Sequence, residues 1–295
     1  MTRSVTVRVP ATSANLGPGF DALGVALDWA GEITLSEVAT PTAPAGPMER
    51  LALMAATALF EQAGEPMPPL AAVYRGDMPI GRGLGMSAAA FAGGLVAANA
   101  LLGRVRVDDL IPLAWHLEGH GDNIVPTLLG GLCVVAEDDD GPVWCRIEPP
   151  DDLRVALFVP DFDMPTHESR ERLPVSLTRG QAVHNIARSA LVVAAITQRR
   201  YDLLGTATQD ILHQPARATL FPAMLPALEA ARKAGAHGAY LSGGGSTLAA
   251  FVTDHAESVA GAMREAAAAH GIDGVTRVVS LSPRGAEVVT AVGAR

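Results

Sequence analysis

The chain has 295 residues, 49% of them hydrophobic, enough for two modest domains with packed cores. Its formal net charge of −9 argues against nucleic acid or an anionic membrane surface as a partner. Two cysteines, Cys133 and Cys145, are too few for a disulfide framework, and any essential lysine would have to be Lys233, the only one present.

Residues 3–9 alternate polar and apolar side chains, which predicts a strand and not the apolar core of a signal peptide. The next stretch, PATSANLGPGFD (10–21), is dense in turn formers and reads as an ordered loop. Strands are expected at 22–28 and 31–37, a surface linker at 39–47, a helix at 49–63 and a strand at 70–76. A glycine loop then leads into a helix over 86–102, followed by a second helix at 107–118. The run 87–102 is the longest apolar one, but it is short for a membrane span and carries Gly93, Gly94 and Asn99; a buried helix in a soluble, cytoplasmic protein is expected. A hairpin over 131–148 turns near Asp139–Gly141, with the two cysteines on its arms. A bridge between them is not expected in a chain without a secretion signal.

The segment EPPDD (148–152) marks a domain boundary, giving units 1–150 and 151–295. Beyond it, LRVALFVP (153–160) begins a strand. Helices are predicted at 178–199, 200–213, 222–234 and 255–269, and strands at 237–242, 247–253 and 274–281. Strands and helices mix without steady alternation, which favours an α+β class over a doubly wound sheet.

The stretch PIGRGLGMSAAA (79–90) carries the chemistry. A helix start leaves four amide groups without intrahelical partners and about half a positive charge, so an anion is its natural guest. Alternating glycines let the backbone curl around that anion with no Cβ in the way. No Gly-Lys-Ser/Thr follows, and the spacing is G-x-G-x-G, so neither a Walker A loop nor a dinucleotide fingerprint is present. The plain alternative is a tight turn before a core helix. A second glycine turn, LSGGGST (241–247), would bring backbone donors to the same anion, or be a simple hairpin. In LEGHGDN (117–123), Glu118, His120, Asp122 and Asn123 crowd behind an apolar helix, and Glu118 is a hard oxygen donor suited to magnesium. Asn15 and Asp21, in TSANLGPGFD, would hold polar substrate groups or close an Asx turn.

In order and spacing, PATSANLGPGFDALG, PIGRGLGMSAA, EGHGDN and LSGGGSTL resemble the motifs of the homoserine kinase family, within the GHMP small-molecule kinase superfamily, and the resemblance covers essentially the whole chain. It implies a two-domain GHMP kinase fold, the N-terminal half like ribosomal protein S5 domain 2 and the C-terminal half ferredoxin-like. ATP, Mg2+ and L-homoserine would meet in the cleft between the halves. A homodimer, a step toward threonine and feedback inhibition by threonine are further implications.

Residue by residue, the family pattern implies that Pro79, Gly81, Arg82, Gly83, Leu84, Gly85, Met86 and Ser87, with Gly243 and Gly244, surround the ATP phosphates. Ser87 and Glu118 would hold the metal. Asn15 and Asp21 would bind homoserine, Asp21 through its ammonium, while His120 and Asn123 stand beside the reacting hydroxyl. Arg170 and Arg217 match the substrate arginines, with Arg172 a competitor to Arg170; a guanidinium grips a carboxylate with two hydrogen bonds, as lysine cannot. Asn123 stands where related kinases place an aspartate, so either the phosphate or water takes the hydroxyl proton, or His120 or Asp122 acts as a base.

The sequence departs from the pattern in three places. Met86 replaces the first of two serines, Gly121 replaces a proline, and SGGGST replaces SGAGPS. Two other readings stay open beside this one: a kinase for another small alcohol of the same superfamily, and a non-catalytic ligand-binding relative.

Overall fold

The computed structural model describes residues 3–41, 43–103, 107–164 and 166–293. Two antiparallel sheets organise them. The first has the order β10-β1-β2-β4-β5, with β3 also paired to β2. Its strands are β1 (Ser4–Ala14), β2 (Leu23–Glu37), β3 (Leu70–Arg75), β4 (Leu132–Asp138), β5 (Gly141–Ile147) and β10 (Glu287–Val292). The second, in the order β7-β8-β6-β9, contains β6 (Arg154–Pro160), β7 (Gly238–Leu241), β8 (Leu248–Val252) and β9 (Gly274–Ser280). The chain passes from one sheet to the other through the EPPDD segment, and its last strand returns to pair with β1 in the first sheet.

The helices are α1 (Pro47–Ala63), α2 (Met86–Leu101), α3 (Ile111–Glu118), α4 (Gly121–Leu129), α5 (Thr166–Glu171), α6 (Arg179–Thr197), α7 (Leu204–Ala207), α8 (Gln214–Arg217), α9 (Met224–Lys233) and α10 (Ala256–Ala268). Rich in alanine and glycine, with apolar side chains on every face, α2 is buried along nearly its whole length. Among the described residues no helix is long and apolar enough to cross a membrane.

Period-two alternation in β6 divides the interior. Val155 and Leu157 join the core that holds the first sheet and α2, while Ala156 and Phe158 join a second core with α9 and α10. One hydrophobic core therefore spans both sheets, and the second lies on the far face of the smaller one. The cysteines follow the same alternation. Cys133 pairs with Arg146 and Cys145 with Val134, so they point to opposite faces; both are free, Cys133 buried and Cys145 exposed.

Several expected elements differ. The predicted loop at 10–14 is the second half of β1: Thr12 and Ser13 are fully buried, with their hydroxyls hydrogen-bonded to Asn123, Tyr240 and Ser242. Polar side chains satisfied inside a sheet look like loop residues in the sequence. The strands expected at 22–28 and 31–37 form one strand, with a register shift opposite Pro10, which lacks an amide to donate. The helix expected at 107–118 opens with a 3-10 turn, Asp108–Leu110, before α3. The helix expected at 200–213 ends at Ala207, because the Asp210 carboxylate takes the amides of Leu212, His213 and Gln214 and so starts α8. No element was expected for α4, which contains Pro126 and begins with glycine.

Candidate active site

A cavity of about 440 Å³ lies where the two sheets meet. Its floor is the loop before α2. Gly81, Gly83 and Gly85 have φ of 76°, 74° and 67°, so every second residue is left-handed, an alternation that can aim successive amides into one concavity as in an anion-binding nest. The loop's carbonyls are tied back behind it. Leu84 O accepts from the Thr12 amide, Arg82 O from the Thr247 amide, and Gly83 O from Ser242 Oγ at 2.7 Å. A Cβ at Gly83 would strike the Ser242 carbonyl, so the two glycine turns approach as closely as backbone allows. Gly85 is the N-cap of α2 and makes no side-chain cap, which leaves the helix start to face the cavity.

The wall opposite comes from the α3–α4 turn. Ser87 Oγ donates to Glu118 Oε1 at 2.6 Å. Burial raises the Glu118 carboxyl to about 7, against the opposing effects of the Ser87 hydrogen bond and the His120 charge. His120 Nδ1 lies 3.0 Å from Asp122 Oδ1, and Asp122 is buried at 2% exposure. Burial disfavours the His120 cation, but the Asp122 carboxylate and its acidic neighbours outweigh that, and the net direction is upward. Asn123 Nδ2 donates to Asp122 at 3.3 Å, and Asn123 Oδ1 accepts from Thr12 Oγ1 at 2.8 Å.

The third side is cationic. Asp21 sits at φ 56°, held there by a hydrogen bond from its amide to Asn15 Oδ1, while Asn15 Nδ2 donates to the Gly243 carbonyl. The Arg170 guanidinium grips Asp21 with two hydrogen bonds of 2.6 and 2.9 Å. Arg217, 1% exposed, donates to the Gly243 carbonyl and to His213 Nδ1. His213 Nε2 donates in turn to Gly17 O, a tautomer that leaves Nδ1 free to accept. Both guanidiniums lie over the Phe20 ring, 5.1 and 5.4 Å from its centroid. Burial, and then the charge of Arg170, lower Arg217 to about 10, and its Nε is buried without a partner. A desolvated cation with an orphaned donor, beside a second guanidinium, has the charge and the free hydrogen-bonding capacity to take a carboxylate.

Of the residues singled out in the sequence, Asn15, Asp21, Gly81 to Ser87, Glu118, His120, Asn123, Arg170, Arg217, Gly243 and Gly244 all border this one cavity. Pro79 does not: it lines a separate hollow with Trp29, Asp77 and Arg277. Sequence reasoning missed Phe20, which stands next to Asp21 in the same motif. For the adenine pocket, sequence reasoning pointed only to the neighbourhood of the 49–63 helix and named no residue; the apolar side chains that border the cavity there are Pro47, Met48 and Leu51, joined by Ile80 and Phe91. Those five are ordinary core residues by type, and no local signal separates them from other core positions.

A profile of the GHMP kinases N terminal domain matches residues 50–131, and one of the GHMP kinases C terminal matches residues 192–269. The homoserine kinase of Moorella thermoacetica is 40% identical over 294 residues, covering 96% of this chain and 99% of that protein. That of Desulfitobacterium hafniense is 38% identical, covering 97% of this chain and all of the other. The crystal structure of homoserine kinase from Cytophaga hutchinsonii superposes with a TM-score of 0.88 at 29% identity, over 97% of each chain.

Proposed function

The chain belongs to the GHMP kinases and, within them, to the homoserine kinases, and on that premise we propose that it moves the γ-phosphoryl group of ATP to the side-chain hydroxyl of L-homoserine, with Mg2+. The product is O-phospho-L-homoserine, a cytoplasmic intermediate on the way to threonine. The observation that carries the reading is the joining, in one cavity, of an anion nest at a helix start with a carboxylate–guanidinium pair suited to an amino-acid zwitterion.

The nest and the start of α2 hold the phosphates, and the apolar end by Met48, Leu51 and Phe91 takes the adenine. Asp21 and Arg170, now paired with each other, separate to meet the ammonium and the carboxylate of the substrate, and Arg217 adds a second cation to the carboxylate. Asn123 orients the hydroxyl but takes no proton, which leaves with the transferred phosphoryl oxygens. The metal fits the donors present. The Ser87 hydroxyl and the Glu118 carboxylate are hard oxygens 2.6 Å apart, few enough that most of the coordination must come from phosphates and water, as magnesium prefers. When bound, Mg2+ neutralises charge on the phosphates; the protein's share is to hold Glu118 and Ser87 at the mouth of the nest.

The test is ADP release measured with homoserine, mevalonate or galactose, each with and without Mg2+. Release that requires both homoserine and Mg2+ is expected. Equal turnover with mevalonate or galactose would overturn the substrate assignment, and no turnover with any of the three would favour a binding protein.

A further inference from the structure

Gly121 opens α4 with a φ outside the left-handed region, so nothing in its own backbone conformation calls for glycine. Its neighbour does. The edge of the six-membered ring of Trp115 lies so close to Gly121 that a Cβ there would stand 1.8 Å from Cζ3 and 2.4 and 2.5 Å from the two ring carbons beside it. On another side of the same turn, a Cβ on Gly24 of β2 would overlap the Asp122 carbonyl oxygen. The first turn of α4 is thus gripped between an indole ring and a strand backbone, with a glycine at each contact. At the other end of the segment the Trp115 main-chain carbonyl accepts the Gly119 amide at 2.7 Å and closes α3, a backbone bond that a substitution of the indole leaves in place. Glu118, His120, Asp122 and Asn123 all lie on or between these two fixed points.

Trp115 is not among the residues that border the cavity. We propose that it is a positioning residue for phosphoryl transfer, setting the offset between Glu118 at the end of α3 and Asn123 in the first turn of α4. The inference rests on the reading of that turn as the catalytic one. Displacing a reacting constellation by an ångström can cost about a hundredfold in turnover. A glycine that exists to admit one ring makes the pair a coupled unit, so changes at the two positions should not add.

The experiment compares wild type, Trp115→Leu, Gly121→Ala and the double variant, with kcat and both KM values measured at saturating Mg2+ and melting temperatures recorded alongside. Gly121→Ala is expected to lower kcat at least about tenfold, because the ring and the new methyl group cannot share the space. Trp115→Leu should lower kcat about fivefold with KM for ATP unchanged. In the double variant the methyl group has room, so kcat should return to within about twofold of Trp115→Leu alone. If Gly121→Ala proves insoluble, solubility and turnover regained in the double variant support the same coupling. The proposal is overturned if Gly121→Ala or Trp115→Leu turns over like wild type, or if the double variant is no faster than Gly121→Ala. Wild type inactive on homoserine would instead strike the functional assignment.

Discussion

Glu118 is costly to charge in the folded chain. Burial raises its carboxyl from 4.5 to about 7, so the folded chain keeps a proton that the unfolded chain releases. The contribution to stability is therefore fully present below pH 4.5 and is lost as pH rises toward 7, since above that value the folded protein must carry a desolvated charge. Glu118→Gln removes that penalty. Without ligands its melting temperature should exceed that of wild type at pH 8 and match it at pH 4.5, while homoserine-dependent ADP release is abolished. A variant that melts no higher at pH 8, or that turns over normally, contradicts this account. Arg170 poses a different question of chemistry. Its two hydrogen bonds to Asp21 use the fork of a guanidinium, which an ammonium cannot reproduce. Arg170→Lys should raise KM for homoserine ~30-fold, the equivalent of about 2 kcal/mol, with KM for ATP little changed. Steady-state titration of each substrate separates the two.

At the scale of elements, the junction of the glycine loop with α2 depends on close backbone approach more than on side chains. Gly85 combines a left-handed φ of 67° with a position where a Cβ would collide with Thr12 Oγ1 and stand 2.9 Å from Asn123 Oδ1. Gly85→Ala therefore strains the backbone and pushes apart the Thr12–Asn123 hydrogen bond, at a cost of about 2–4 kcal/mol in urea unfolding and with a large loss of turnover. Gly64, the left-handed cap of α1 at φ 70°, is the control, because no atom lies within 4 Å of its hypothetical Cβ. Gly64→Ala should cost only about 1 kcal/mol and leave activity intact. Equal losses at both sites would mean that strain alone, and not the fit against β1 and α4, governs the loop.

On the scale of the whole molecule, the two sheets share a core. Val155, Leu157, Tyr240 and Phe251 of the smaller sheet belong to the same buried cluster as β1, β2 and α2. Across the cleft, Ser242 and Thr247 hydrogen-bond to the glycine loop, and Asp163 pairs with Arg82 at 2.6 Å. β10 returns to close an edge of the first sheet beside β1. The chain is thus expected to unfold as one cooperative unit, with calorimetric and van't Hoff enthalpies that agree; two resolved heat-capacity peaks would contradict this.

Local rules were enough for whatever a short run of residues decides alone. Alternating glycines before an apolar helix let the backbone curl closely ahead of an open helix start, so the loop could be read as a candidate anion cradle, as could the bunching of polar groups in EGHGDN and the hairpin that carries the two cysteines on its arms. What only the tertiary structure decided is which distant residues meet. Arg170 closes on Asp21 across 149 positions, Met48 and Phe91 become the wall of a cavity instead of plain core, Thr12 and Ser13 are sheet residues because partners arrive from α4 and β7, and Gly121 is glycine because Trp115 lies over it. The physical reason is one of range. Backbone preference is set by immediate neighbours, whereas burial, the partner that satisfies a buried polar group, and the space left for a side chain are properties of surfaces that exist only once the chain has folded onto itself.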